Sequence, residues 1–212
     1  MIRGIRHRAL ACTALLIVFA LPLRAGEDAP KPLRDEWMAV YLEDARIGYA
    51  HTRTERAEQE GRERFVTATR QQLTITRGDR EVRFTIDQRI VEDGGGRLVS
   101  FEQVMDQGVI RQVTRGEVAD GRLRIVSGEG DSAVTQEVAV PKALCPWAVD
   151  RLGRSLDHSP GKQYTIPVFM AEHPTAPVIA EIRMGEKESR EVFEVQKQLR
   201  RVEITLSAMP KA

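Results

Sequence analysis

From Glu36 onward apolar and polar residues alternate with a period of two, and turn residues interrupt the alternation at short intervals. That is the pattern of half-buried antiparallel strands. "EWMAVYLE" and "IGYAHTRTER" flank "DAR" as a first hairpin, and "RFVTATRQQLTITR" turns at Gly78-Asp79 into "REVRFTIDQRIVED". In the latter, Val82, Phe84, Ile86 and Ile90 share one face, and Arg83, Thr85, Asp87 and Arg89 the other. "GGG" at 94–96 starts the return "RLVSFEQVMDQ", followed by "VIRQVTRGEVAD", "GRLRIVSG" and "SAVTQEVAV", and Pro141 ends the series. Beyond "CPW" come "KQYTIPVFMA", "PVIAEIRM", "REVFEVQKQ" and "RRVEITLSA". This amounts to roughly a dozen strands in a chain that is mainly β, far above the usual strand share.

Short connections throughout argue against a parallel α/β sheet. A sheet of this many strands twists and must curl or split. The expected architecture is therefore a strongly curved antiparallel sheet, a half-barrel or open barrel, with one short helix covering its concave face. Residues 146–156 are the candidate helix: Pro146 suits the first helical position, with Cys145 as N-cap. Ala148, Val149, Leu152 and Leu156 fall on one side of a helical wheel, and Trp147 and Arg154 are expected to face outward. A ligand site on this plan lies between Val149 and Leu152 of the helix and the strands carrying Phe65, Leu73, Phe84 and Ile86.

The chain opens with Arg3, Arg6 and Arg8, then an apolar run from Ala9 to Leu23 that is short for a membrane span. Small residues offer cleavage after Ala20 or Ala25. Residues 1–25 read as a secretory signal peptide and 26–35, "GEDAPKPLRD", as a flexible leader to one β-rich domain at 36–212. Cleavage at Ala25 removes four of the 32 basic residues and no acid, leaving 28 against 31 acids, a net charge of −3. Nothing in that balance calls for nucleic acid. The implied location is the periplasm or the exterior, with no membrane span after cleavage and a monomeric state.

Cleavage also leaves Cys145 as the only cysteine, so no intramolecular disulfide can form. A cysteine at a helix start is a possible nucleophile. The histidines after it are His158 and His173, both in turn sequences, and no Asp or Asn follows His158. A free cysteine is also among the most buried residue types, and the core reading is preferred. His51, His158 and His173 lack metal-ligand spacing, and no cofactor motif is present. No catalytic residue is assigned.

Three stretches, "WMAVYLEDARIGYAHTRTE", "LTITRGDREVRFTIDQRIVEDGGGRLVSFE" and "PGKQYTIPVF", resemble the N-terminal β-domain of bacterial exported proteins that often carry a transglutaminase-like domain. That domain in turn is similar to the half-barrel of periplasmic lipoprotein carriers. The resemblance spans Glu36 to Ser207 and implies a fold, without a catalytic residue to carry over. Thr67, Thr69, Gln71 and Gln88 interrupt faces that would be apolar in a lipid carrier. The resulting expectation is an exported, non-enzymatic domain that binds a lipid, a lipoprotein or a protein partner. The alternatives are a structural module beside a separately encoded transglutaminase-like enzyme, or a cysteine hydrolase built on Cys145.

The export reading has a direct check. Expressed in a Gram-negative host, the chain should be recovered outside the cytoplasm, shortened at or near Ala20 or Ala25, by intact-mass measurement. Full-length protein in the membrane fraction would reject it.

Overall fold

The computed structural model describes residues 31–42, 45–77, 80–108, 110–192 and 195–208. The signal and most of the leader sequence, and the turn at Gly78-Asp79, lie outside them. Eight strands form one antiparallel meander in chain order: β1 (Arg34–Leu42), β2 (Ala45–Gln59), β3 (Arg62–Arg77), β4 (Arg80–Asp93), β5 (Leu98–Asp106), β6 (Arg111–Ala119), β7 (Arg122–Ser127) and β8 (Val134–Ala139). Helix α1 (Pro146–Ser155) follows. The chain then forms a second sheet of β9 (Gln163–Val168), β10 (Val178–Val192) and β11 (Val195–Ala208), ordered β11-β10-β9. An isolated parallel bridge from Leu144 to Val168 links the segment before the helix to β9. The protein is mainly β, its long sheet is not closed, and α1 is the only α-helix among the described residues.

Two details depart from the sequence reading. "PVIAEIRM" and the start of "REVFEVQKQ" belong to one strand, β10, so the described strands number eleven. The strand runs through "GEKES", between the two stretches, with a register shift between Met184 and Lys187. Gly185 faces Arg201 of β11 at this point, so the glycine marks an irregular strand rather than a reversal. Strand β1 also begins at Arg34, inside the segment read as leader.

Register decides what the inner face of the long sheet carries. One cross-strand row runs Thr54, Thr67, Ile90, Phe101, Gly116 and Ile125. Thr54 and Thr67 are buried and join hydroxyls at 3.1 Å, which satisfies both without cost to the core. A Cβ at Gly116 would run into the Phe101 ring, so only glycine lets that ring lie flat across its neighbour. The next row is polar: Thr52 meets Thr69 at 3.2 Å, and Gln88 donates to Gln103 at 3.3 Å. Of the residues that interrupt the apolar alternation in the sequence, Thr67, Thr69 and Gln88 thus meet polar partners across strands, while Gln71 lies between Ala50 and Ile86. Beyond that belt the inner face is mostly apolar, with Leu73 opposite Phe84 and with Ile86 between Gln71 and Met105.

Helix α1 is wedged between the two sheets. Val149, Leu152 and Leu156 pack against Ile166, Ile182 and Met184 of the second sheet. Trp147, expected to point outward, is only 6 % exposed and packs on Phe65 of β3, with ring centroids 6.2 Å apart. A helix against one sheet buries one side; between two sheets it buries two, Trp147 against the first and Val149, Leu152 and Leu156 against the second. Arg154 does stay exposed and lies over the Trp147 ring at 5.5 Å.

Glu92 holds the start of the helix. It is fully buried on the inner face of β4, opposite Phe65, and its Oε2 accepts the Trp147 backbone N–H at 3.1 Å. A carboxylate from another strand thus satisfies a donor that the helix itself cannot. Gly96 completes the junction: its carbonyl accepts the Cys145 N–H at 3.0 Å, and a Cβ there would strike Ala148. Burial raises the Glu92 carboxyl to about 7, an effect that the Trp147 and Ala148 N–H groups and Arg151 only partly offset.

A carboxyl with a raised folded-state pKa favours folding while protonated. Stability is therefore full below the ordinary value of 4.5 and falls as pH rises through about 7. The loss between pH 4.5 and 8 should be about 3 kcal/mol, read from urea midpoints. Glu92→Gln should flatten that dependence, and an unchanged slope in the variant would place the titration elsewhere.

Candidate functional site

The sequence-derived site residues divide into two places on the inner face. Phe65 lies under the helix, where Trp147 covers one side and the Arg151 guanidinium stands 4.9 Å from the ring centroid. Val149 and Leu152 are on the other flank of the helix, facing the second sheet. Leu73 is eight residues along β3 from Phe65, about 26 Å at strand rise. A helix of this length spans about 15 Å. Leu73, Phe84 and Ile86 are brought together by strand register, but away from Phe65, Val149 and Leu152.

Between the two places the concavity is filled. Phe169, which follows β9, packs on Phe101 with centroids 5.4 Å apart, and Glu172 accepts a hydrogen bond from Gln88. Ile90, Leu98, Leu123, Ile125 and Ala171 complete this core. Past Gln88 the apolar row of Leu73, Ile75, Val82, Phe84, Ile86 and Met105 is half-buried. In the second sheet, Ile204 and Leu206 lie on the same face as buried Ile182 and Ala180, with Ile204 61 % exposed.

Cys145 is a member of the filled core. It is the N-cap by backbone geometry, is 0 % exposed, and makes no side-chain capping bond. Burial pushes its thiol well above the ordinary value, and the neighbouring carboxylates Glu92 and Asp93 push in the same direction. Helix-start geometry lowers a thiol pKa only where the sulfur meets solvent or a cation. The histidines are employed elsewhere. His158 pairs through Nε2 with the Gly153 carbonyl at 2.9 Å, His173 lies in the turn after Met170, and His51 stacks on Trp37 beside Asp35. Among the described residues no three His, Cys, Asp or Glu side chains stand close enough to hold a metal ion. No described helix is long and apolar enough to cross a membrane.

Sequence reasoning passed over two features. Period two places Glu92 on the face of Ile86 and Ile90, so an acid on an apolar face was visible but not singled out. The second is a groove of about 730 Å³ at the rim, lined in part by Leu98, Val118, Val140, Leu144, Arg97 and Lys142. Its residues come from four separate segments, and no local pattern joins them.

Cys145→Ser should lower stability by about 1–2 kcal/mol, the cost of a buried hydroxyl with imperfect partners. In the native protein the thiol should react with an alkylating reagent no faster than global or local opening allows. Fast labelling with a thiolate-like pH profile would restore the nucleophile reading.

No family model matches this chain. No curated protein matches it either. Among solved structures it is similar to one described as the crystal structure of a beta-barrel-like protein of domain of unknown function DUF1849 from Brucella abortus, at 15% identity, covering 84% of this chain and 78% of that one, with a TM-score of 0.49.

Proposed function

We propose that this protein is an exported, non-enzymatic binding domain whose inner face takes a lipid, a lipoprotein or an apolar segment of a protein partner. The observation that carries this reading is the half-buried row Leu73, Phe84, Ile86 and Met105 on a sheet that does not close, beyond the reach of the helix. Apolar surface left at the mouth of an open sheet is suited to a ligand that brings its own apolar area. The buried, carboxylate-flanked thiol of Cys145 supports the non-enzymatic side of the reading.

A second reading is a structural module beside a separately encoded transglutaminase-like enzyme. It is favoured by the filled core from Phe65 to Gln88, and by two long exposed edges. Trp37 of β1 is 66 % exposed, and Val202, Ile204 and Leu206 of β11 are exposed as well. Such edges suit a partner that pairs by adding a strand.

Nile red, an uncharged apolar probe, separates the two. The folded monomer should bind it saturably and release it to lysophosphatidylcholine, and Phe84→Asp should abolish binding by placing a charge in the row. A folded monomer that binds no probe would leave the structural module as the function.

A further inference from the structure

The rim groove lies at the opposite end of the sheet from Leu73 and Phe84. It is framed by the β4–β5 turn, the β6–β7 turn, the segment 140–144 and Pro167 of β9. Its volume of about 730 Å³ falls within the range of small-molecule sites. The floor is apolar: Leu98 belongs to the core cluster, Val118, Val140 and Ala143 pack against that cluster, and Leu144 packs beside the helix. The groove therefore rests on rigid material rather than on a loose loop.

Its cations outnumber its acids. Arg97 and Lys142 line it, both are exposed, and neither makes an ion pair or hydrogen bond through its side chain among the described residues. The carboxylate in the lining, Asp93, is already engaged, since its Oδ1 accepts the Gly95 and Arg97 backbone N–H groups at 2.9 Å each. Elsewhere the arginines of this sheet generally meet an acid: Arg70 pairs with Asp87, Arg115 with Glu102 and Arg111 with Glu129. Two cations that pair with no acid side chain, set against the single carboxylate of Asp93 and beside an apolar floor, are complementary to a small molecule that is anionic at one end and apolar at the other.

We propose that this groove is a binding site for a small amphiphilic anion. A carboxylate or phosphate head sits between Arg97 and Lys142, and a short apolar tail lies on Leu98, Val118, Val140 and Leu144. The site is separate from the inner-face row and does not depend on it.

Calorimetric titration of the full chain with dodecanoate, dodecyl phosphate, dodecyltrimethylammonium and inorganic phosphate, all below their micellar concentrations, tests the assignment. At least one dodecyl anion should bind one to one, with preference between the two identifying the head group. The ammonium of equal chain length and phosphate alone should bind at least about tenfold more weakly, as expected when charge and tail both contribute. Arg97→Ala and Lys142→Ala should each weaken the anion by about fivefold to tenfold. Ala143→Trp should block the groove, while Phe84→Asp, which disables the inner-face row, should leave anion binding intact. Binding of the ammonium as tight as the anions, indifference to both cation variants, or loss in Phe84→Asp with retention in Ala143→Trp would overturn the proposal.

Discussion

An eight-stranded sheet with one apolar face has more surface to cover than a ten-residue helix can supply, and the rest of this structure follows from that shortage. The helix lies where it gains most, between two sheets, so that both Trp147 and Leu152 leave water. The segment after β9 extends the cover with Phe169, Ala171 and Glu172 as far as Gln88. Further along, the apolar side chains of the inner face are half-buried. The belt of Thr52, Thr69, Gln88 and Gln103 stands at this boundary, and its hydroxyls and amides meet one another across strands. A polar belt at the margin of a core limits how far a close-packed interior extends, because each of its members requires a partner on leaving water.

The helix junction shows how tightly the cover is fixed. The first turn of a helix offers N–H donors that must find acceptors, and here Glu92 and the Gly96 carbonyl reach them from the sheet. The same carboxylate has no hydrogen bond at Oε1, where the Arg151 guanidinium stands 3.7 Å away. Trp147 Nε1 and Arg151 Nε are likewise buried without partners. Polar atoms left in that state cost stability, so the junction is held by apolar contact of Phe65, Trp147 and Ala148 more than by its charges.

Much of the strand pattern could be read directly from period two, because solvent on one side and core on the other impose it. Val82, Phe84, Ile86 and Ile90 share a face in the structure as they do in the sequence. The helix was legible from Pro146 and the spacing of Val149, Leu152 and Leu156. What was not legible depends on which elements meet. Trp147 looks solvent-facing until a second sheet is known to flank the helix. "PVIAEIRM" and "REVFEVQKQ" look like separate strands until β11 is seen to pair on both sides of Gly185. The rim groove brings Leu98, Val118, Val140 and Pro167 together from separate strands and linkers, and alternation within one strand says nothing about such a meeting.

Both proposed sites derive from the same geometry at opposite ends of the meander. At the end with the β3–β4 turn, the strands run past the described helix with a half-buried, uncharged face of Leu73, Phe84, Ile86 and Met105 around Gln71, which suits the proposed apolar ligand. At the end with the β4–β5 and β6–β7 turns, the core comes up to the surface beneath Arg97 and Lys142, and the segment 140–144 walls it in. There the proposed anionic head meets a lining with two cations, Arg97 and Lys142, to one carboxylate, Asp93. A site of that kind discriminates by sign as well as by size. The two proposed sites thus call for different ligands, one matched by apolar area and the other by charge together with apolar area.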